Sequence, residues 1–366
     1  MTELYMIPIN DTEYLPHNIS ITFPNLEVIS AEESSIREIH RNNFVGLSKM
    51  RELHLYGNKI RRLEANVFSD MNSLEELLLN SNEINNIERN AFTGLVKLKE
   101  LSLGKNRFNT LDHGIFGQLS SLEYLSLDNN NIKHVEKDHF EGLKNLKVLK
   151  LSYNQLDEIN NDAFNSLPSL ADLSLGKRNH SSNEKSNNYF GFFKGNNNIK
   201  EIDENSFKGM EGLKELNLNN NQLKRISSGT FAPLTSLRAL HLNGNGIEQI
   251  DENAFSDLLA PFLLMEVLHL ENNEIKQIDN KVFNGMSKLK VLFLNDNKLG
   301  SLSLELLAPL SSLRVLYLGN NEIKVIDENA FKKLSKLESL YLENNKLERI
   351  TFPMIEPLSS LKYLLL

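Results

Sequence analysis

The stretch LEELLLNSNEINNIERNAFTGLVK at residues 74–97 decides the fold. With Leu74 as position 1, apolar residues fall at positions 1, 4, 6, 11, 14, 19 and 22, and Asn82 takes position 9. The same phase returns without a gap from Leu98, Leu122 and Leu146. Outward from there, units begin at Thr2, Leu26, Met50, Leu170, Leu213, Leu237, Met265, Leu289, Leu313 and Leu337, and a stub starts at Leu361. Positions 3–7 alternate polar and apolar, as in Glu-Leu-His-Leu-Tyr at 52–56, which is the period of a half-buried strand. A strand every 24 residues stacks in parallel with its neighbours, about 4.7–4.9 Å apart. The pattern therefore predicts an α/β-type repeat solenoid over residues 1–366 with a parallel sheet on its concave face.

Two columns run through the repeats. Twelve asparagines, Asn58 to Asn345, keep position 9. A buried amide both donates and accepts, so each is expected to bond backbone groups of its own and the next turn. Eleven of the nineteen phenylalanines, Phe44 to Phe331, keep position 19 and read as a spine on the convex side. Leu307 and Ile355 replace Phe in two units, which is expected to loosen packing there without breaking it.

Composition narrows the function. The net charge is −8, with no clustered basic face for phosphate, which argues against nucleic acid as a partner. The chain has no cysteine, so disulfides and thiolate metal sites are excluded. No nucleophile–base constellation, phosphate-cradling glycine loop or zinc spacing appears, so no catalytic residue, cofactor or resident metal is expected. No stretch reaches the ~20 apolar residues needed to cross a bilayer, and no basic start with an apolar run opens the chain at residues 1–14.

The pattern resembles the 24-residue "typical" leucine-rich repeats of extracellular animal proteins, as in Toll-like receptor, chaoptin-like and acid-labile-subunit-like ectodomains. Leu-x-x-Leu-x-Leu-x-x-Asn-x-Leu with Phe and Leu at the return carries this resemblance over nearly the whole chain. It implies a curved horseshoe that recognises a protein ligand or co-receptor through its concave face, as a homo- or heterodimer or alone, outside the cell or at its surface. A soluble secreted carrier or scaffold without signalling is the alternative, and an intracellular scaffold stays open. Such arrays usually carry cysteine-rich caps, which this chain lacks. A degenerate first repeat (1–25: Tyr5, Ile7, Asn10, Leu15, Phe23) and a truncated last one (361–366) are read as marks of a fragment, with any membrane anchor in the missing part; the alternative is a complete chain whose C-terminal edge a partner covers.

Two insertions break the period. Residues 177–195 interrupt the unit from Leu170 just after its strand, with Tyr189, Phe190, Phe192, Phe193 and Lys194 either anchoring a ligand or pinning the loop to the solenoid. Four extra residues near Leu259–Phe262 read as a packed bulge. Three sequons, at Asn10, Asn18 and Asn179, are glycosylation candidates.

Outward positions 3 and 5 tile the concave face. In the N-terminal half they are acidic and small. In the C-terminal half Phe293, Tyr317 and Tyr341 at position 5 are flanked by Val267, Val291 and Val315 at position 3. A contiguous exposed apolar patch marks an interface, and aromatics are enriched among binding hot spots. The same residues also favour a β-face by cross-strand packing alone. His241 and His269 extend the column; a metal there would need a third or fourth ligand, with Glu271 and Asn243 the nearest by sequence.

Overall fold

The computed structural model describes residues 1–6, 13–176, 197–257, 260–261 and 264–366. The insertion with Asn179, Tyr189, Phe190, Phe192, Phe193 and Lys194, and also Asn10, lie outside the described residues. Two compact units are present: Met1–Leu156 with Asp162–Leu173, and Asp157–Asn161 with Ser174–Leu366. Each is a parallel β-solenoid.

In the first unit the strands Glu52–His54, Glu76–Leu78, Glu100–Ser102, Tyr124–Ser126 and Val148–Lys150 pair in parallel, each with the next. Leu53, Leu77, Leu101, Leu125 and Leu149 sit directly opposite one another and are fully buried. In the second unit Glu215–Asn217, Ala239–His241, Val267–His269, Val291–Phe293, Val315–Tyr317, Ser339–Tyr341 and Tyr363–Leu365 pair likewise. The four-residue insertion leaves register intact, with Leu240 opposite Leu268. Beside it, Ser256–Asp257 runs antiparallel to Ala260–Pro261. The return segments are mostly turns. Among the described residues helix is limited to four-residue pieces such as Arg41–Phe44, Leu304–Leu307 and Phe352–Ile355, and no helix is long and apolar enough to cross a membrane.

The asparagine column forms a ladder. Asn82 donates through Nδ2 to the carbonyls of Leu79 in its own turn (3.0 Å) and Leu55 in the preceding turn (2.9 Å), and accepts from the Ile60 N–H at 3.1 Å. Asn106, Asn130, Asn154, Asn297 and Asn321 repeat the pattern. The bonds thus run backward, to the turn before, and not to the next turn as expected. This bonding is needed because backbone groups buried at each asparagine turn have no strand partner. The two insertions leave the ladder closed. Asn197, 22 residues beyond Leu175, still donates to its carbonyl at 2.7 Å, which places the long insertion between strand and asparagine turn. Asn273 accepts from three successive N–H groups, Asn245, Gly246 and Ile247.

The phenylalanine spine is buried throughout. Phe44, Phe68, Phe92 and Phe116 lie 5.7, 6.4 and 6.0 Å apart between ring centroids, and Phe207, Phe231 and Phe255 lie 5.9 and 6.1 Å apart. Leu307 is fully buried in its place, whereas Ile355 is only half-buried. The first repeat departs from the expected register. Leu4, not Tyr5, pairs opposite Ile29, and Tyr5 is 64% exposed. A one-residue slip exchanges the two faces of a strand, and Glu3-Leu4-Tyr5 alternates as well in this phase as in the other.

Candidate functional site

Parallel pairing without slip places equal positions of successive repeats in line. In the second unit this aligns His241, His269, Phe293, Tyr317 and Tyr341, each directly opposite the next. Their rings form one continuous stack. The centroid separations are 4.6, 4.2, 4.7 and 4.4 Å, and the planes are inclined by 20°, 10°, 5° and 10°. The sheet spacing sets these distances, and near-parallel rings this close stack on one another. Each inner ring has a neighbour on both faces, so solvent meets mainly ring edges, and all five residues are half-buried. Val267, Val291 and Val315, mutually opposite on the same face, flank the column as expected. The cross-strand packing anticipated as a purely structural role is therefore present, and it lines the rings into one continuous surface at the same time.

Polar groups edge the column. His241 Nε2 lies 3.6 Å from a Glu215 carboxylate oxygen. His269 Nδ1 lies 3.0 Å from Glu271. Burial first, and then the neighbouring Tyr341, push the Tyr317 phenol up from its ordinary value, so the Tyr317 hydroxyl keeps its proton at neutral pH.

The corresponding face of the first unit carries different chemistry. Glu52, Glu76 and Glu100 stand in line. His54 Nε2 lies 2.9 Å from Glu76 and Nδ1 3.7 Å from Glu32. Tyr56 donates a very short hydrogen bond to Glu32, which with burial pushes its phenol up to about 12. Burial, and then Glu76, push the Glu100 carboxyl up. Lys150 Nζ sits 4.9 Å over the Tyr124 ring.

Two features escaped sequence reasoning. One is a row at position 2 with Arg51, Glu75, Lys99, Glu123 and Lys147 in alternating charge. Glu75 takes Lys99 at 2.8 Å and Arg51 at 3.4 Å, and Glu123 takes Lys147 at 2.8 Å. In the second unit Glu266 takes Lys290 at 2.6 Å, and Glu338 takes Lys362 at 2.6 Å and Arg314 at 3.4 Å. The other is a cluster of His113, Glu136 and His139, whose potential ligand atoms lie within 4.8 Å of one another. Its chemistry does not favour a metal. His139 Nδ1 accepts the Glu136 backbone N–H at 3.0 Å, so the neutral ring carries its proton on Nε2, and neither nitrogen offers a free lone pair. His139 is a cap, filling the position that Asn43 fills in another turn, where Asn43 Oδ1 accepts from the His40 N–H. The glycosylation candidate Asn18 is exposed in a left-handed backbone conformation, φ 56°.

Comparison with known proteins agrees with this geometry. The structure is similar to a leucine-rich-repeat protein of Leptospira interrogans, with 26% identity, a TM-score of 0.76, and 97% of this chain and 81% of that one covered. It is similar to Toll in the Drosophila Toll–Spatzle complex at 19% identity and a TM-score of 0.72, covering 100% of this chain and 44% of that one. It also resembles a chain of the LRIM1/APL1C complex, at 21% identity and a TM-score of 0.68, with 91% and 55% covered. This chain thus spans less than half the length of the Toll chain. No curated protein sequence matches significantly. The leucine-rich-repeat profile matches residues 24–84, 74–132, 122–180, 195–247, 264–323 and 311–366, and with its asparagine ladder, phenylalanine spine and in-register strands the chain belongs to the leucine-rich-repeat family.

Proposed function

We propose that this chain binds another protein through the ring column of its second unit, in a receptor or cell-adhesion setting outside the cell. The observation that carries the reading is the unbroken stack His241–His269–Phe293–Tyr317–Tyr341 on an open sheet face. Rings locked by their neighbours lose little conformational freedom on binding, and this lowers the entropic cost of association. Two of the similar structures are protein complexes, Toll with Spatzle and LRIM1 with APL1C, which supports a protein as the ligand. An exposed sequon at Asn18 supports a secreted setting. A soluble carrier would use the same face without transmitting a signal.

Replacing Tyr317 and Tyr341 together by alanine is expected to keep the fold and weaken partner binding by about 1–4 kcal/mol. Photocrosslinking supplies the partner: p-benzoylphenylalanine at position 317 is expected to give a discrete protein adduct, and at the exposed return residue Lys332 none. Equal adducts from both positions, or unchanged affinity in the double variant, would reject the column as the binding face. Native protein that does not shift in mass on endoglycosidase treatment would remove the support from Asn18.

A further inference from the structure

The ring column has two rims, and they are chemically unequal. On the position 2 side the bases are occupied. Lys290 is held by Glu266, and Arg314 and Lys362 by Glu338. On the position 7 side three acceptors lack a partner. Asn243 Oδ1, Asn295 Oδ1 and Glu343 Oε2 are buried and have no hydrogen-bond partner, although Asn243 as a residue is only 4% exposed. Buried acceptors of this kind are ordinarily satisfied by protein, water or ligand. The Glu343 carboxylate is folded over Gly319, where even a methyl group would lie 2.2 Å from its Oε1. Asp296 accepts only neutral amides, Asn295 Nδ2 at 2.6 Å and Asn320 Nδ2 at 2.9 Å. Among the described residues neither Asp296 nor Glu343 pairs with a lysine or arginine.

We infer that the partner lying on this column is an extended protein segment that presents arginine or lysine side chains toward Asp296 and Glu343. This rests on the reading of the column as a docking surface and adds the chemistry of what docks. Asp296 and Glu343 carry the uncompensated charge of this rim, which is negative, so a partner that donates from a positive group matches it. Long cationic side chains suit the layout, because their alkyl stems cover apolar surface while the charged ends reach past it. Five strands span about 19 Å, the length of about six residues of extended chain. An acidic segment would leave the acceptors unmatched, and a nucleic acid would bring phosphates against the same carboxylates.

The test uses the whole chain and two eight-residue probe peptides, one alternating arginine with valine, the other carrying citrulline, its neutral isostere, in place of arginine. Calorimetry at low salt is expected to show the arginine peptide binding at least tenfold more tightly. D296N/E343Q is expected to abolish that advantage, and E76Q/E100Q, on the acidic face of the first unit, to leave it intact. Asn is compatible with the left-handed backbone at Asp296, φ 56°, so the carboxylate pair can be neutralised without strain there. Equal binding of the two peptides, no binding of either, an advantage that survives D296N/E343Q, or one lost in E76Q/E100Q instead would each overturn the inference. The Tyr317→Ala/Tyr341→Ala variant separates the two readings. If it weakens both peptides alike while D296N/E343Q changes neither, the docking face stands and the cationic partner falls. If peptides that bind the native chain bind this variant as tightly, the docking face falls as well.

Discussion

The open faces of the two units are made by the same backbone and differ in most of their outward side chains. At position 3 the first unit places Glu52, Glu76 and Glu100 in line, and the second places Val267, Val291 and Val315 there. At position 5 the first unit has His54, Leu78, Ser102, Ser126 and Lys150, and the second has five stacked rings. Behind both faces the leucines are equally buried and the asparagine ladder is the same. The fold therefore specifies the inward positions and leaves positions 3 and 5 free. Like carboxylates in line are unfavourable across a strand pair, so the glutamate row is not a product of sheet stability. It is tolerated, and Glu100 carries the mark of burial, and then of Glu76, in a raised carboxyl.

The comparison breaks first if the shared scaffold is not shared. Asn154→Leu removes two donated bonds of 3.0 Å and the acceptor for the Ile132 N–H, and Asn297→Leu removes the matching set at Leu270, Leu294 and Ile275. Each is expected to cost about 3 kcal/mol or more, because several buried backbone groups lose their partner. Urea denaturation of the two variants should show similar losses. A large loss in one and none in the other would mean that the ladder stabilises only one unit.

Next in size is the stack itself. Phe293 contacts His269 on one face and Tyr317 on the other, so Phe293→Ala removes two stacked pairs, worth about 1–3 kcal/mol together. Ser102→Ala, in the same slot of the first unit, should change stability by less than about 0.5 kcal/mol. Comparable losses at the two sites would show that the rings are ordinary sheet residues and not a built surface.

Most of this contrast was legible in the sequence. Once Leu74 set the phase, the strands, the ladder, the spine and the aligned rings followed from the 24-residue period, because a solenoid converts spacing along the chain into contact. The direction of the ladder bonds was not legible, since position 9 is equally near two turns in sequence. The phase of Glu3–Tyr5 failed because three alternating residues fit either face. His139 escaped because it stands at position 18, where Ala91, Ala163 and Ala254 are buried and apolar, and only the structure shows it capping a turn. The alternation of Arg51, Glu75, Lys99, Glu123 and Lys147 could have been found by tabulating position 2 as positions 3 and 5 were.

His139 also gives the first unit an acid sensitivity that its counterpart positions in the second lack. Burial first, and then His113, push its imidazole below the ordinary value. The unfolded chain, with a histidine near 6.5, therefore takes up the proton before the folded one does. The stabilising contribution of the neutral cap is complete above pH 6.5 and is lost as the pH falls through the depressed folded value. His139→Asn, which copies the cap that Asn43 provides, should keep the turn closed and flatten this loss. An acid unfolding profile identical to that of the native chain would show that the proton is taken up elsewhere.

The smallest expected effect lies on the rows of alternating charge. Lys99 in the first unit and Lys290 in the second each meet a carboxylate, at 2.8 and 2.6 Å, with more than 40% of either lysine side chain exposed. Exposed pairs gain little, because water screens them and two long side chains must be ordered to form them. Lys99→Ala and Lys290→Ala should each cost less than about 0.5 kcal/mol, and 1 M salt, where the screening length is about 3 Å, should erase the difference. The two values should also be equal, because both pairs lie at position 2 and have no part in the chemistry that separates the two faces. A larger cost at Lys290 alone would tie the basic rim to the ring column, and the partner would then have to engage both rims of the second unit's face.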